Sequence, residues 1–118
     1  MIFHIAVETD WEDAQTSGEY RMSTRGARLE DVGFIHASFA HQVERIGALL
    51  YSDASVALVV LVIDPTRLKS PVKVEGVDGG AEEFPHIYGP LPTSAVVDVL
   101  PVVVQEGQFV VEGLVPDA

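Results

Sequence analysis

The chain is 118 residues long, carries 18 acidic side chains against 7 basic ones for a formal net charge of −11, and contains no cysteine. That length suits one domain, residues 1–118, built on a single core, and the charge repels phosphate backbones and anionic headgroups, so no nucleic acid or membrane partner is expected. Lack of cysteine excludes disulfides, thiolate catalysis and cysteine-bound zinc, as suits a cytoplasmic protein.

Residues 2–7, Ile-Phe-His-Ile-Ala-Val, read as a first strand, apolar enough for burial on both faces and broken only by His4. No basic leader stretch is expected ahead of it. Thr9 and Glu12 then have capping-box spacing for a short helix through residues 14–16, which Gly18 stops in a left-handed cap. Trp11 anchors that helix to the core. Residues 19–31 lose the pattern and read as a loop, with a helical turn at 27–30. Residues 33–37 read as a second strand, and Ser38 is placed to cap a helix over 39–51. The apolar positions Phe39, Val43, Ile46, Leu49 and Leu50 of that helix follow helical spacing.

The eight residues 56–63 are aliphatic or β-branched, too short a run to span a bilayer and suited to a central strand. Asp64-Pro65 ends it in a turn over 65–68. Residues 71–75 alternate as a fourth strand, and Asp78-Gly79-Gly80 reads as a turn. Residues 82–90 read as a polar, aromatic loop fenced by prolines. A strand over 96–104 contains Pro101, which points to an edge or a bulge. Glu106-Gly107 then turns into a strand at 109–111, giving a C-terminal hairpin before a frayed tail at 115–118. The sum is an α+β domain of about six mostly antiparallel strands, with two helices in the N-terminal half.

The chemistry centres on Gly33-Phe34-Ile35-His36-Ala37-Ser38, a polar pair inside an apolar strand that runs into a helix. His36 and Ser38 are two apart and so share a strand face. A histidine titrating near ~6.5 can serve as acid, base or donor near neutral pH. Ser38 fits a cap, a ligand contact or both. His4 fits either a buried histidine satisfied by a carbonyl or a donor at a pocket floor. The segment 84–90 holds Phe84, His86 and Tyr88 between prolines, either as a rigid recognition loop or as a plug in the core. Glu82 and Glu83 before it fit a ligand-binding carboxylate or a solvated pair. The three segments around His4, His36 and His86 are expected to converge on a small-molecule pocket. No metal is expected, because no H-x-x-x-H helix anchors a site. Neither a G-x-S-x-G elbow nor a phosphate-binding glycine loop is present.

Phe3-His4-Ile5, the run D-x-G-F-I-H-A-S at 31–38 and F-P-H-I-Y-G-P-L at 84–91 together resemble the DUF952 family. The runs L-V-I-D-P-x-R-L at 61–68 and V-D-G-G at 77–80 fit it too, so the likeness covers about residues 2–104. The resemblance implies a fold similar to the ADP-ribosyltransferase and RNA 2′-phosphotransferase group. It further implies that His4 holds a ribose, that His36 and Ser38 flank the reacting bond, and that Glu83 or His86 stands at the position of the catalytic carboxylate. Two expectations follow from it. In one, the pocket takes a nucleotide-like molecule such as NAD or ADP-ribose, with NAD as a substrate rather than a bound cofactor. Tyr88 then stacks on a ring, Arg21 or Arg25 meets the pyrophosphate, and Glu83 supports ADP-ribosyl or glycosidic-bond transfer. In the other, the same fold is a non-catalytic binding or interaction module.

Overall fold

The computed structural model describes residues 1–76 and 80–115. The turn expected at 78–80 and the tail at 115–118 fall largely outside the described residues. Strand β1 (Ile2–Val7) lies antiparallel to β4 (Leu58–Ile63), from Ile2 opposite Ile63 to Val7 opposite Leu58. Every residue of β4 is buried, because the strand is paired on both sides and covered on both faces. Alternation divides its side chains between two cores. Val59, Leu61 and Ile63 join Ile2 and Ala6 in one, and Leu58, Val60 and Val62 join Phe3 and Ile5 in the other.

Strand β8 (Val96–Gln105) pairs with the far side of β4, and β9 (Gln108–Val111) closes the sheet in the order β1-β4-β8-β9. The β8–β9 hairpin turns through Glu106 and Gly107 at φ 53° and 79°, the left-handed pair that a tight two-residue hairpin requires. Pro101 marks neither an edge nor the bulge, which lies instead where β4 passes from Val62 to Ile63. Its carbonyl accepts from Glu112 just past the end of β9 (2.9 Å), so the missing N–H falls where no ladder bond is needed.

Helix α1 (Glu8–Ser17) follows β1 directly and ends at Gly18, φ 88°, whose N–H reaches the Ala14 carbonyl at 2.7 Å. Trp11 and Ala14 are its buried residues. The expected capping box is not formed: Thr9 and Glu12 lie inside the helix, no side chain caps Val7, and the free Glu8 amide donates instead to the Ala57 carbonyl at 2.9 Å. The stretch expected as a loop at 19–31 holds β2 (Glu19–Tyr20), a single 3₁₀ turn at Thr24–Gly26 and the short α2 (Leu29–Val32).

Strand β3 is only Ile35–His36, at one edge of a three-stranded sheet in the order β3-β6-β5. Strand β5 is Val72–Gly76, and β6 (Glu83–Ile87) is the centre of that sheet rather than the loop expected at 82–90. Pro85 is tolerated in a central strand because its carbonyl accepts from Ala37 (3.0 Å), where β3 has already ended. Strand β7 (Leu91–Pro92) pairs with β2. With β2, β6 and β7 added, the described residues contain nine strands and three α-helices, every pairing antiparallel.

Helix α3 (Ala40–Tyr51) packs Val43 and Ile46 inward, while Leu49 is 73% exposed. Ser38 does not cap it. Its backbone instead exchanges two hydrogen bonds with Phe3, at 2.8 and 2.7 Å, which joins the end of β3 to β1. The Phe39 N–H at the helix start is taken by Gln42 Oε1 at 3.0 Å. No described helix is long and apolar enough to cross a membrane.

Candidate functional site

Pairing of β3 with β6 sets His36 directly opposite His86, and their rings meet with His36 Nδ1 3.2 Å from His86 Nε2. The second ring nitrogen of His86, Nδ1, lies 2.9 Å from Glu75 Oε2 on β5. The Tyr88 hydroxyl donates to the same carboxylate oxygen, and these two bonds hold the Glu75 carboxyl below the usual carboxylate range. Phe34 stacks on His86 with ring centroids 4.1 Å apart and planes 16° from parallel. His86 is buried, and Glu75 and Tyr88 are half-buried at the far side of the sheet.

A cavity of about 460 Å³ opens beside His36. Phe34 and Phe84 form aromatic walls, and Ile46, Leu49 and Leu50 of α3 form an aliphatic one. At its rim Arg45 and Glu82 form an ion pair. Gln42, 2% exposed, braces that rim by donating to Glu82 Oε2 (3.1 Å) and to the Glu83 carbonyl (2.9 Å). Of the histidines it is His36 that lines the cavity, and its Nε2 has no hydrogen-bond partner among the described residues. Burial, and then the neighbouring His86, push His36 down to about 4, so the ring is neutral at pH 7.

Of the other residues expected to bind a ligand, His4 and Ser38 meet His36 only at a second cleft of about 10 Å³, and the rest lie elsewhere. His4 is buried behind this layer, with Nδ1 2.6 Å from the His36 carbonyl and Nε2 2.9 Å from the Tyr20 hydroxyl. Ser38 is 2% exposed with its backbone in the bridge to Phe3, and it does not line the cavity. Tyr88 turns toward Glu75, with Lys73 Nζ 4.8 Å above its ring. Arg21 pairs with Glu30 at 3.0 Å on another surface, and Arg25 pairs with Asp53 at 3.0 Å. Neither arginine lines the cavity. Glu83 sits an odd number of residues from Phe84 and His86 on β6, which puts its side chain on the opposite face. The acidic group that does reach the cavity is its neighbour Glu82.

Glu75, Arg45 and Gln42 carry no sign in the sequence as site residues, and Phe34 stands out there only as part of the stretch around His36. Glu75 alternates with Val74 like any half-exposed strand residue, and only the register of β5 against β6 brings it to His86. Among the described residues no three histidine, aspartate or glutamate side chains are grouped to hold a metal ion.

The fold is similar to the crystal structure of protein CC0527 from Caulobacter crescentus, with a TM-score of 0.76, 28% identity and 92% of each chain covered. A double mutant of that protein matches at a TM-score of 0.75 and 27% identity, again over 92% of each chain. No curated protein matches the sequence. The family model described as "Protein of unknown function (DUF952)" matches residues 5–99. With most of its length matched in this way, and with the motifs around His36 and His86 inside the matched span, the chain belongs to the DUF952 family.

Proposed function

We propose that the protein binds a small ring-bearing, nucleotide-like molecule in the cavity beside His36. The observation that carries this is the combination of an aromatic-walled cavity of about 460 Å³ with a lining histidine, His36, whose Nε2 has no partner among the described residues. Small-molecule sites have this composition: a mostly apolar lining, a few polar groups that fix orientation, and a volume between ~300 and 1,000 Å³. A flat ring such as nicotinamide fits between such walls, and His36 Nε2 accepts a hydrogen bond from its amide. The ribose and phosphates of NAD or ADP-ribose would then extend past the Arg45–Glu82 rim. Arg21 and Arg25 are engaged elsewhere, so the ring end supplies most of the affinity.

If transfer of an ADP-ribosyl group or cleavage of a glycosidic bond takes place, Glu82 is the carboxylate positioned to support it, since Glu83 faces away. A non-catalytic binding module would use the same cavity without that demand.

Thermal-shift titrations with nicotinamide, ADP-ribose and NAD test the proposal on wild type, His36→Ala and Leu49→Trp. Leu49 is largely exposed at the cavity wall, so the indole fills the opening without entering the core. A ligand at a hundred times its dissociation constant stabilises by ~2.7 kcal/mol. The expected result is a shift in wild type that both variants lose. Absence of any shift with all three compounds overturns the nucleotide-like ligand. A shift that survives Leu49→Trp places binding outside this cavity.

A further inference from the structure

We propose that Glu75, His86 and His36 form a proton relay that leaves His36 Nε2 as a general base facing the cavity. It rests on the reading of the cavity as a ligand site and adds a reaction class to it. The hydrogen-bond directions follow from the far end inward. The Glu75 carboxylate only accepts, and it takes the Tyr88 O–H and the His86 Nδ1–H. In the relay His86 carries a single proton, on Nδ1, and its Nε2 lone pair accepts from His36 Nδ1–H at 3.2 Å. With its proton on Nδ1, His36 is left with a bare Nε2 lone pair, and His36 is the histidine that lines the cavity. Glu75 and His86 touch nothing in the cavity, so they are positioning residues, and His36 is the group that meets the substrate.

The geometry also accommodates the proton that such a base takes up. A substrate O–H or N–H breaks with its electron pair left on the substrate, and the proton bonds to His36 Nε2. The Nδ1 proton moves to His86 Nε2, and His86 becomes an imidazolium against the Glu75 carboxylate. Return of the proton to a leaving group runs the same steps backward. The charged groups around the relay are few: Glu75 beside His86, Lys73 above Tyr88, and at the cavity rim Arg45 and Glu82, which neutralise each other. Because the cavity wall carries no other cation among the described residues, the substrate portion that reaches His36 is not anionic and offers it an O–H or N–H.

The tautomers are read directly by ring-nitrogen NMR on the full chain at pH 7. The expected spectrum has His36 and His86 both protonated at Nδ1 and bare at Nε2. Glu75→Ala removes the acceptor, so His86 turns its proton to Nε2 and His36 takes the Nε2–H form, although Glu75 does not touch His36. Glu75→Gln keeps a carbonyl oxygen for His86 and preserves the wild-type tautomers. Acylation by diethyl pyrocarbonate gives a chemical readout that needs no ligand. The His36 Nε2 lone pair forms the N–C bond, the anhydride C–O bond breaks to release ethyl hydrogen carbonate, and the Nδ1 proton leaves through His86. Peptide mass spectrometry should find His36 labelled, His4 and His86 unlabelled, and His36 labelling slowed roughly tenfold or more by Glu75→Ala. Exposed His41 serves as the reference in every variant. A proton on His36 Nε2 in the wild-type spectrum overturns the relay, whether or not the variants fold. So does a Glu75→Ala protein with unchanged tautomers and labelling. Ligand titration fails or succeeds separately, so loss of the nucleotide-like ligand and loss of the relay are distinguishable.

Discussion

His4 and His36 are the same residue type on neighbouring segments, and their surroundings divide their roles. The His36 carbonyl accepts from His4 Nδ1, so the His4 proton sits on Nδ1 and its Nε2 accepts from the Tyr20 hydroxyl. Both His4 nitrogens are thereby satisfied inside the fold, and burial pushes the Tyr20 hydroxyl well above its ordinary range. Removing that hydroxyl leaves a buried lone pair unpaired. Tyr20→Phe should therefore lower stability by about 1–3 kcal/mol in urea unfolding, with ligand-induced shifts unchanged. A Tyr20→Phe protein as stable as wild type would show that water reaches His4. His36, by contrast, bonds within the protein through one nitrogen, lines the cavity, and has no partner for the other among the described residues. Sequence alone marks both histidines as polar interruptions of apolar strands but does not separate them. The difference lies in Tyr20, sixteen residues from His4, which reaches it only because β2 docks against β7.

At the scale of elements, α3 and the C-terminal hairpin are locked by a close approach. Gly47 on the inner face of α3 lies against the Phe109 ring of β9, and a methyl group there would overlap that ring. Alanine improves helix propensity by about 1 kcal/mol over glycine, whereas overpacking costs about 1–3 kcal/mol. Phe109 is only 4% exposed and has little room to move, so overpacking wins. Gly47→Ala should lower the urea midpoint, and the double variant Gly47→Ala/Phe109→Leu should recover part of the loss. A stabilised Gly47→Ala protein would mean that the hairpin shifts freely over α3. The apolar spacing of 39–51 announces this helix and its buried face. That Gly47 is the contact point with a strand sixty residues on is decided by packing, because glycine inside a helical pattern has no local signature of the ring that crosses it.

For the molecule as a whole, the buried histidines set an acid limit on stability. Burial drives His4 down from 6.5 to about 4, and His36 moves the same way. Between those values the unfolded chain binds more protons than the folded one, so stability rises with pH there. The contribution is complete above about 6.5, declines as pH falls toward about 4, and levels off below that. For fully buried His4 its limit is about 3 kcal/mol, because each tenfold drop in proton affinity on folding corresponds to ~1.36 kcal/mol. Urea unfolding from pH 4 to 7 should show this slope, and His4→Phe should flatten it while lowering stability at pH 7. An equal slope in His4→Phe would assign the acid sensitivity to other groups.

Features that depend on near neighbours are legible in the chain before it folds. Continuous apolar runs produce the buried strands β1 and β4, Gly18 ends α1, the Glu106-Gly107 pair makes the last hairpin, and helical spacing with a buried stripe produces α3. Each is a balance of burial and backbone preference within a few residues, so it is written locally. Long-range packing makes residues 83–87 a central strand despite Pro85, has Ser38 bridge β1 rather than cap α3, and brings Glu82, not Glu83, to the cavity. It also sets Glu75 behind His86 while Arg21 and Arg25 stand apart. These outcomes depend on strand register and loop closure between distant segments, where a shift of one residue turns every side chain to the other face. No local pattern encodes that choice, and at this site it selects which carboxylate meets which histidine.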